Sequence, residues 1–493
     1  MTEQTNPTLL PTSIKGIFRR IWVVIVGVVA VAVFFLWPVF SNSPVDYAGI
    51  EDHFKYGSIG SEPINGIPYW IWKVLPELFP DKLPGNKLPG KDYTSLGFIK
   101  EPDKDLPVGF SQRRVFIDRV GLNCAVCHTG TLRNTPNSEH QVITAMPANV
   151  LNLQGYIKFL SAVGVDERFT ANRMLPEIEK ISGGLNPIEK LLYRFIAIPQ
   201  TRDALINQAY RLKFVETQPD WGPGRVDTFN PYKAIQFHFP MDKLRQDELI
   251  GTSDFPSIWN QRPRKGLELH WDGNNSSVDE RNKSAALGTG VTPTTIDLPR
   301  IDRIADWLLE LPPPKYPYEV NETLAATGKP LFESNCASCH VFGGAYTGKV
   351  VPIQEIGTDR HRLDSFTYET ISNQNTLYAG YPWRFKHFRK TNGYANMPLD
   401  GVWLRGPYLH NGSVPTLRDL LEKPENRPQE FYRGYDVIDR AKVGFVSDVA
   451  EENGKKYFKF DTKLDGNSNS GHLYGVDLSP EEKDAVVEYM KKL

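Results

Sequence analysis

Cysteine is scarce in this chain: four residues in 493. That is too few for a disulfide scaffold, and the length is ample for proper apolar cores instead. An excess of charge of one sign is also missing. Lys and Arg number 57 against 58 Asp and Glu, a net charge of −1, so nothing points to nucleic acid as a partner. Charge is absent altogether from Ile21 to Phe40. Histidine and methionine are few, ten and six, which keeps the inventory of metal ligands short. What is plentiful is Gly (39), Pro (38) and aromatic residues (12 %). The first two predict much irregular chain with modest helix and little sheet. The aromatics suit a protein that wraps large apolar groups. A chain of this length predicts two or three domains.

All four cysteines fall in two pentapeptides, Cys124-Ala125-Val126-Cys127-His128 and Cys336-Ala337-Ser338-Cys339-His340. Cys-x-x-Cys-His reads as a c-type haem attachment site. Each thiol adds to one vinyl group of the porphyrin, and two intervening residues let one turn of chain span both vinyls. The adjacent histidine then comes under the iron as proximal ligand. A zinc site would use Cys-x-x-Cys pairs but would not need a histidine directly after each. A redox dithiol would appear once, after a strand. Two complete copies predict two covalent haems.

Lys15, Arg19 and Arg20 precede the uncharged run Ile21–Phe40. Twenty residues at about 1.5 Å each give roughly 30 Å, one hydrocarbon core. The basic cluster should stay in the cytoplasm. The expectation is a cytoplasmic tail at 1–20, a transmembrane anchor at 21–40 in a bacterial inner membrane, and the remainder in the periplasm. A cleaved signal peptide is the competing reading, but Trp37-Pro38-Val39-Phe40-Ser41-Asn42-Ser43 is a poor cleavage site. Residues 41–104 read as linker and irregular chain. Residues 105–311 read as a first haem domain with a helical insertion, where Asn149–Val163 and Pro187–Ile198 carry helical apolar spacing. Arg300–Leu311 is amphipathic, and Pro312-Pro313-Pro314 ends it. Residues 312–493 read as a second haem domain, closed by a helix capped at Ser479 with Glu482 three residues on. The fold class expected is mostly α: two cytochrome c-like haem domains with long loops, plus the one transmembrane helix. In the Gly-rich turn Trp221–Asn230, Arg225 is a candidate partner for a haem propionate.

Two haem motifs, Trp271-Asp272-Gly273-Asn274 between them, and Pro407-Tyr408-Leu409-His410-Asn411-Gly412-Ser413-Val414-Pro415-Thr416-Leu417 after the second resemble the di-haem cytochrome c peroxidase and MauG superfamily. Trp221–Asn230, the segment around Trp271 and the Gly-His-Leu-Tyr-Gly at His472 resemble its RoxA-like, rubber oxygenase-like branch most closely. The resemblance spans roughly residues 105–493. It implies a reactive first haem with His128 as proximal ligand and an electron-transfer second haem with His340. It implies that Trp271 lies between them as a relay. It also implies a periplasmic or membrane electron donor or acceptor, a small oxidant (hydrogen peroxide or O2), and calcium as a further cofactor. The peroxidases place a methionine after Pro-Tyr-x-His, but Leu420–Pro424 here has none. RoxA-like proteins are similar to this chain in having a late Gly-His, so that resemblance implies His472 as the favoured sixth ligand of the second haem, with Met397 as the alternative. After Trp271, Glu280 and Arg281 are candidates for acid–base work on peroxide. Ala285, Ala286 and Leu287, if they face the iron instead, favour O2 or an apolar substrate. The competing function is a non-catalytic electron carrier with two six-coordinate irons.

Overall fold

The computed structural model describes residues 19–27, 41–84 and 92–493. Phe110–Val115 and Ile117–Leu122 form an antiparallel hairpin that turns at Phe116, φ 63°. It buries Phe110, Ile117 and Val120 and delivers the chain straight into Cys124. Asn42–Pro44 adds to one edge and Ile67–Pro68 to the other, giving a four-stranded sheet. The segment read as linker and irregular chain thus supplies two strands. It also supplies the helices Ile50–Tyr56 and Tyr69–Leu78, whose Phe54, Ile71, Trp72 and Leu75 are buried.

The expected mostly α fold with a transmembrane helix is corrected here. Helix makes up 41 % and strand 13 %, a mixed α/β architecture. Gly and Pro cut the chain into short extended pieces rather than leaving it irregular. Among the described residues these pair as the four-stranded sheet and six two-stranded ladders. Among the same residues no helix is long and apolar enough to cross a membrane. Two of the longest α-helices, Ile198–Arg211 and Glu322–Asn335, have 14 residues each. That is about 21 Å, short of a hydrocarbon core of about 30 Å. Residues 19–27 are helical, and residues 28–40 of the expected anchor lie outside the described residues. The single-pass inner-membrane placement is therefore not supported.

Helix ends follow their sequence signals. Asn152 Oδ1 accepts from Gly155 N–H at 2.8 Å and starts Leu153–Gly164. Ser277 caps Val278–Gly288, and Leu298–Glu310 runs up to the triple proline. Ser479 and Glu482 form a reciprocal capping box at the start of Pro480–Met490. This last helix crosses Glu322–Asn335 at Gly328, where an added Cβ would sit 1.8 Å from the Ala485 carbonyl oxygen. Only glycine allows that approach, and the crossing brings Phe332 to 5.2 Å from Tyr489. The largest core includes Phe54, Trp259, Leu308, Phe332, Trp403 and Met490, from both sides of the triple proline. A second core packs Trp72, Tyr93, Phe110, Phe159 and Ile178.

Candidate functional site

Asn123 sets the first pentapeptide. Its side chain accepts from Ala125 N–H at 3.0 Å and donates to the Gly57 carbonyl at 3.0 Å, which nucleates the short 3-10 turn Cys124–Val126. His128 follows with its Nδ1 2.9 Å from the Pro256 carbonyl oxygen. A carbonyl accepts only from N–H, so Nδ1 carries the proton and Nε2 keeps its lone pair for a metal. Burial pushes the His128 imidazole down to about 4, so it is neutral at pH 7, the ligating form. Cys124, Cys127 and His128 line one cavity of about 1000 Å³, with Leu160, Leu287 and Ile304 on its walls. Both cysteines are free, and burial pushes their thiols up to about 11 and about 12. A roomy apolar cavity, two free thiols and an imidazole with one nitrogen committed fit a covalent haem.

The second pentapeptide forms the helical turn Ala337–His340. His340 Nδ1 lies 2.8 Å from the Met397 carbonyl oxygen, which again leaves Nε2 free. The His340 and His472 ring centres are 6.2 Å apart. Two metal–imidazole bonds of about 2 Å, with about 1.2 Å from each nitrogen to its ring centre, give about 6.4 Å. The spacing therefore fits one metal ion between the rings. Tyr474, 40 % exposed, packs 5.3 Å from the His472 ring, and Leu473 beside it is 58 % exposed.

His472 is held by backbone. Its N–H donates to the Ile356 carbonyl at 2.8 Å. Gly471, at φ 75°, passes so close to Gly357 that a Cβ would lie 2.3 Å from its carbonyl carbon. Arg427, 2 % exposed, donates to the carbonyls of Asn469, Gly471 and His472 at 2.5, 2.9 and 3.2 Å. Met397 presents its carbonyl to Nδ1 of the His340 ring, and the residue lines the first cavity.

Trp271 also lines that cavity. Its indole N–H donates to the Asp254 carbonyl at 2.9 Å, and its ring packs on the cluster of Ile353, Ile356, Leu363 and Tyr394. It thus spans the first cavity and the packing of the second half. Arg281 lines the cavity too. Its polar contact is to Asn282 Oδ1 at 3.5 Å, and burial pushes its guanidinium down to about 10. Glu280 is elsewhere. Its carboxylate accepts from the backbone N–H of Lys386 and His387 at 2.7 and 3.0 Å, lies 2.7 Å from His387 Nδ1, and accepts from Asn275 Nδ2 at 3.1 Å. Arg225 is fully buried outside the cavity wall. It donates to the Trp221 carbonyl and Asn467 Oδ1 at 3.2 and 2.8 Å, and its guanidinium lies 4.9 Å from the Phe460 ring centre. His410 stacks on Tyr394 at 4.0 Å, with Nε2 2.9 Å from the Tyr394 hydroxyl. Among the described residues no group of three or more His, Cys, Asp and Glu is arranged to hold a metal ion.

Sequence reasoning missed Pro256, Met397 as a carbonyl acceptor that orients His340, and Arg427. Pro256 and Met397 stand out as Pro256-Ser257-Ile258-Trp259-Asn260 and Asn396-Met397-Pro398, but their part is played by main-chain oxygen, which no side chain reveals. Arg427 gives no local signal.

Residues 393–433 match the family model described as RoxA-like, cytochrome c-like. That match supports a c-type cytochrome, and a domain of this kind implies covalently bound haem. "Uncharacterized protein y4iM" of Sinorhizobium fredii (strain NBRC 101917 / NGR234) is 33 % identical over 282 residues, 48 % of this chain and 64 % of that protein's length. "Uncharacterized protein y4iJ" of the same organism is 25 % identical over 520 aligned positions, 82 % of this chain and 84 % of that protein.

Proposed function

We propose that this c-type cytochrome holds two haems and belongs with the di-haem peroxidase and MauG-type proteins. In this reading Cys124, Cys127 and His128 hold a reactive haem, and Cys336, Cys339, His340 and His472 hold one that handles electrons. One observation carries it, an asymmetry between the two histidines. His340 has a second imidazole at the spacing of a shared metal, whereas His128 faces a cavity of about 1000 Å³. Haem supplies an iron that exchanges one electron at a time and, where a coordination position stays open, can take peroxide or O2.

The chain's own residues divide the remaining work. The Pro256 and Met397 carbonyls orient the two proximal imidazoles and raise their basicity. Arg281, a cavity cation that among the described residues has no carboxylate in hydrogen-bond contact, suits a propionate. Trp271 bridges the two halves as an electron relay. Ala285 and Leu287 line the cavity while Glu280 is committed to Lys386 and His387. That favours O2 with an apolar co-substrate over proton transfer to peroxide by Glu280. An electron donor or acceptor docking near the second motif completes the cycle.

The second reading, a pure electron carrier, makes a different spectroscopic prediction. Electron paramagnetic resonance of the oxidised holoprotein should contain one high-spin and one low-spin ferric species. Two low-spin species, unchanged on partial reduction, would overturn the enzymatic reading in favour of the carrier.

A further inference from the structure

One wall of the first cavity continues outward as a row of oxidisable side chains. Tyr232 lines the cavity, and its hydroxyl meets the hydroxyl of Tyr378. The Tyr378 ring centre lies 5.4 Å from that of Trp383 at an interplanar angle of 35°. Trp383 lies 5.3 Å from Tyr381 at 34°. Tyr378 is fully buried, and Phe385 packs 4.9 Å from it, shielding the inner steps from water. Trp383 and Tyr381 are partly exposed. Helix Tyr368–Leu377 ends one residue before Tyr378, so a fixed element delivers the row.

We propose that Tyr232, Tyr378, Trp383 and Tyr381 form a relay that carries oxidising equivalents from the cavity to the surface. The inference rests on the reading of a haem at His128. Electron tunnelling falls steeply with the gap to be crossed, and here each step beyond Tyr232 is a ring or hydroxyl contact. Tyrosine and tryptophan lose an electron far more readily than phenylalanine, so the identity of these four side chains matters beyond their packing. Burial pushes the phenols of Tyr232 and Tyr378 up, so each must shed its proton as it loses an electron. The hydroxyl contact between them gives that proton somewhere to go. The oxidant is hydrogen peroxide, which can reach an open iron position in place of O2 when the cavity holds no co-substrate. It takes two electrons and two protons and becomes two waters. Two one-electron oxidations at the outer end supply the electrons, and each oxidised side chain releases one proton to solvent. When no co-substrate occupies the cavity, the relay moves oxidising power away from it.

The test uses the holoprotein, with haem on each pentapeptide verified first by peptide mass spectrometry. Hydrogen peroxide is then added, radicals are trapped for paramagnetic resonance, and oxidised residues are mapped. Oxidation should concentrate at Trp383 and Tyr381, ahead of Tyr210 and Tyr368, which are far more exposed at 80 and 76 %. Tyr378→Phe and, separately, Trp383→Phe should lower oxidation at Tyr381 to the level at Tyr210, with haem content and unfolding midpoint unchanged. Oxidation that follows exposure, with Tyr210 and Tyr368 ahead, overturns the relay. So does a Tyr381 signal that neither variant lowers. Absence of haem from the Cys124–Cys127 peptide brings down the functional reading instead, and the relay with it.

Discussion

Asp436 makes folding stability depend on pH. Its side chain is 3 % exposed and ties the two halves of the chain together. Arg133 Nε and Thr131 Oγ1 each donate to it at 2.7 Å, and His140 Nδ1 lies 2.6 Å away. Burial alone would raise the carboxyl, but the hydrogen bonds from His140, Thr131 and Arg133 outweigh it and hold the group at about 2 instead of 3.8. At about 1.4 kcal/mol per pH unit, the difference amounts to about 2 kcal/mol of folding stability. The folded value is the depressed one. The contribution is therefore complete above about pH 4 and is lost as pH falls from about 4 to about 2. Asp436→Asn keeps the shape and removes the charge. Arg133 retains Glu452 at 3.0 Å, so its cation is not stranded. The cost at pH 7 should then be about 2 kcal/mol, below the roughly 3–5 kcal/mol of an abandoned buried ion. Urea unfolding of the holoprotein, followed by circular dichroism at pH 7 and near pH 2.5, reads the gap between wild type and variant. It should shrink at low pH to less than half. An equal gap at both pH values would show that packing, not charge, is at stake. A gap at pH 7 below about 0.5 kcal/mol would make the cluster no better than a surface pair.

Other perturbations test the site. Gly471→Ala forces a Cβ into Gly357 at φ 75°, costs about 1–3 kcal/mol, and should convert part of the low-spin signal to high-spin by displacing His472; an unchanged spectrum would remove His472 as a ligand. Arg427→Met removes the donor from five backbone carbonyls, two of them in fully buried bonds, and should cost about 2–4 kcal/mol, with the same spectral change, read by urea unfolding and visible absorption. Glu280→Gln should lower the thermal midpoint by loosening residues 386–388 while leaving the ferric spectra intact, because the carboxylate faces Lys386 and His387; a changed spectrum would return Glu280 to the cavity. Gly328→Val should prevent the crossing with Pro480–Met490 and yield insoluble protein; soluble protein with a normal far-ultraviolet spectrum would refute the tight approach.

The parts of the site legible in the sequence are those that spacing alone dictates. Two cysteines and a histidine within five residues act together whatever the rest of the chain does. The Ser479–Glu482 cap is local in the same way, and so is the stop at Pro312–Pro314. The His472 assignment came from a Gly-His pair, and the structure explains the glycine by its contact with Gly357. What stayed hidden is non-local or carried by main chain. The Pro256 and Met397 oxygens lie 128 and 57 residues from the histidines they orient. Glu280 looked available because its partners Lys386 and His387 are more than a hundred residues away, and two of its contacts are backbone N–H groups. The strands were missed because most are two to four residues long, too short for alternation to register.

The sharing of one apolar core by Phe54 and Met490 has a bearing on how the protein is made. While the chain is being synthesised, Cys124 and Cys127 are available long before the residues that will bury them have arrived. Thioether formation on this pentapeptide would then act on an open chain, and folding would follow haem attachment rather than prepare for it. Either half produced alone would present raw apolar surface to water, so splitting at the triple proline should give inclusion bodies rather than two folded halves.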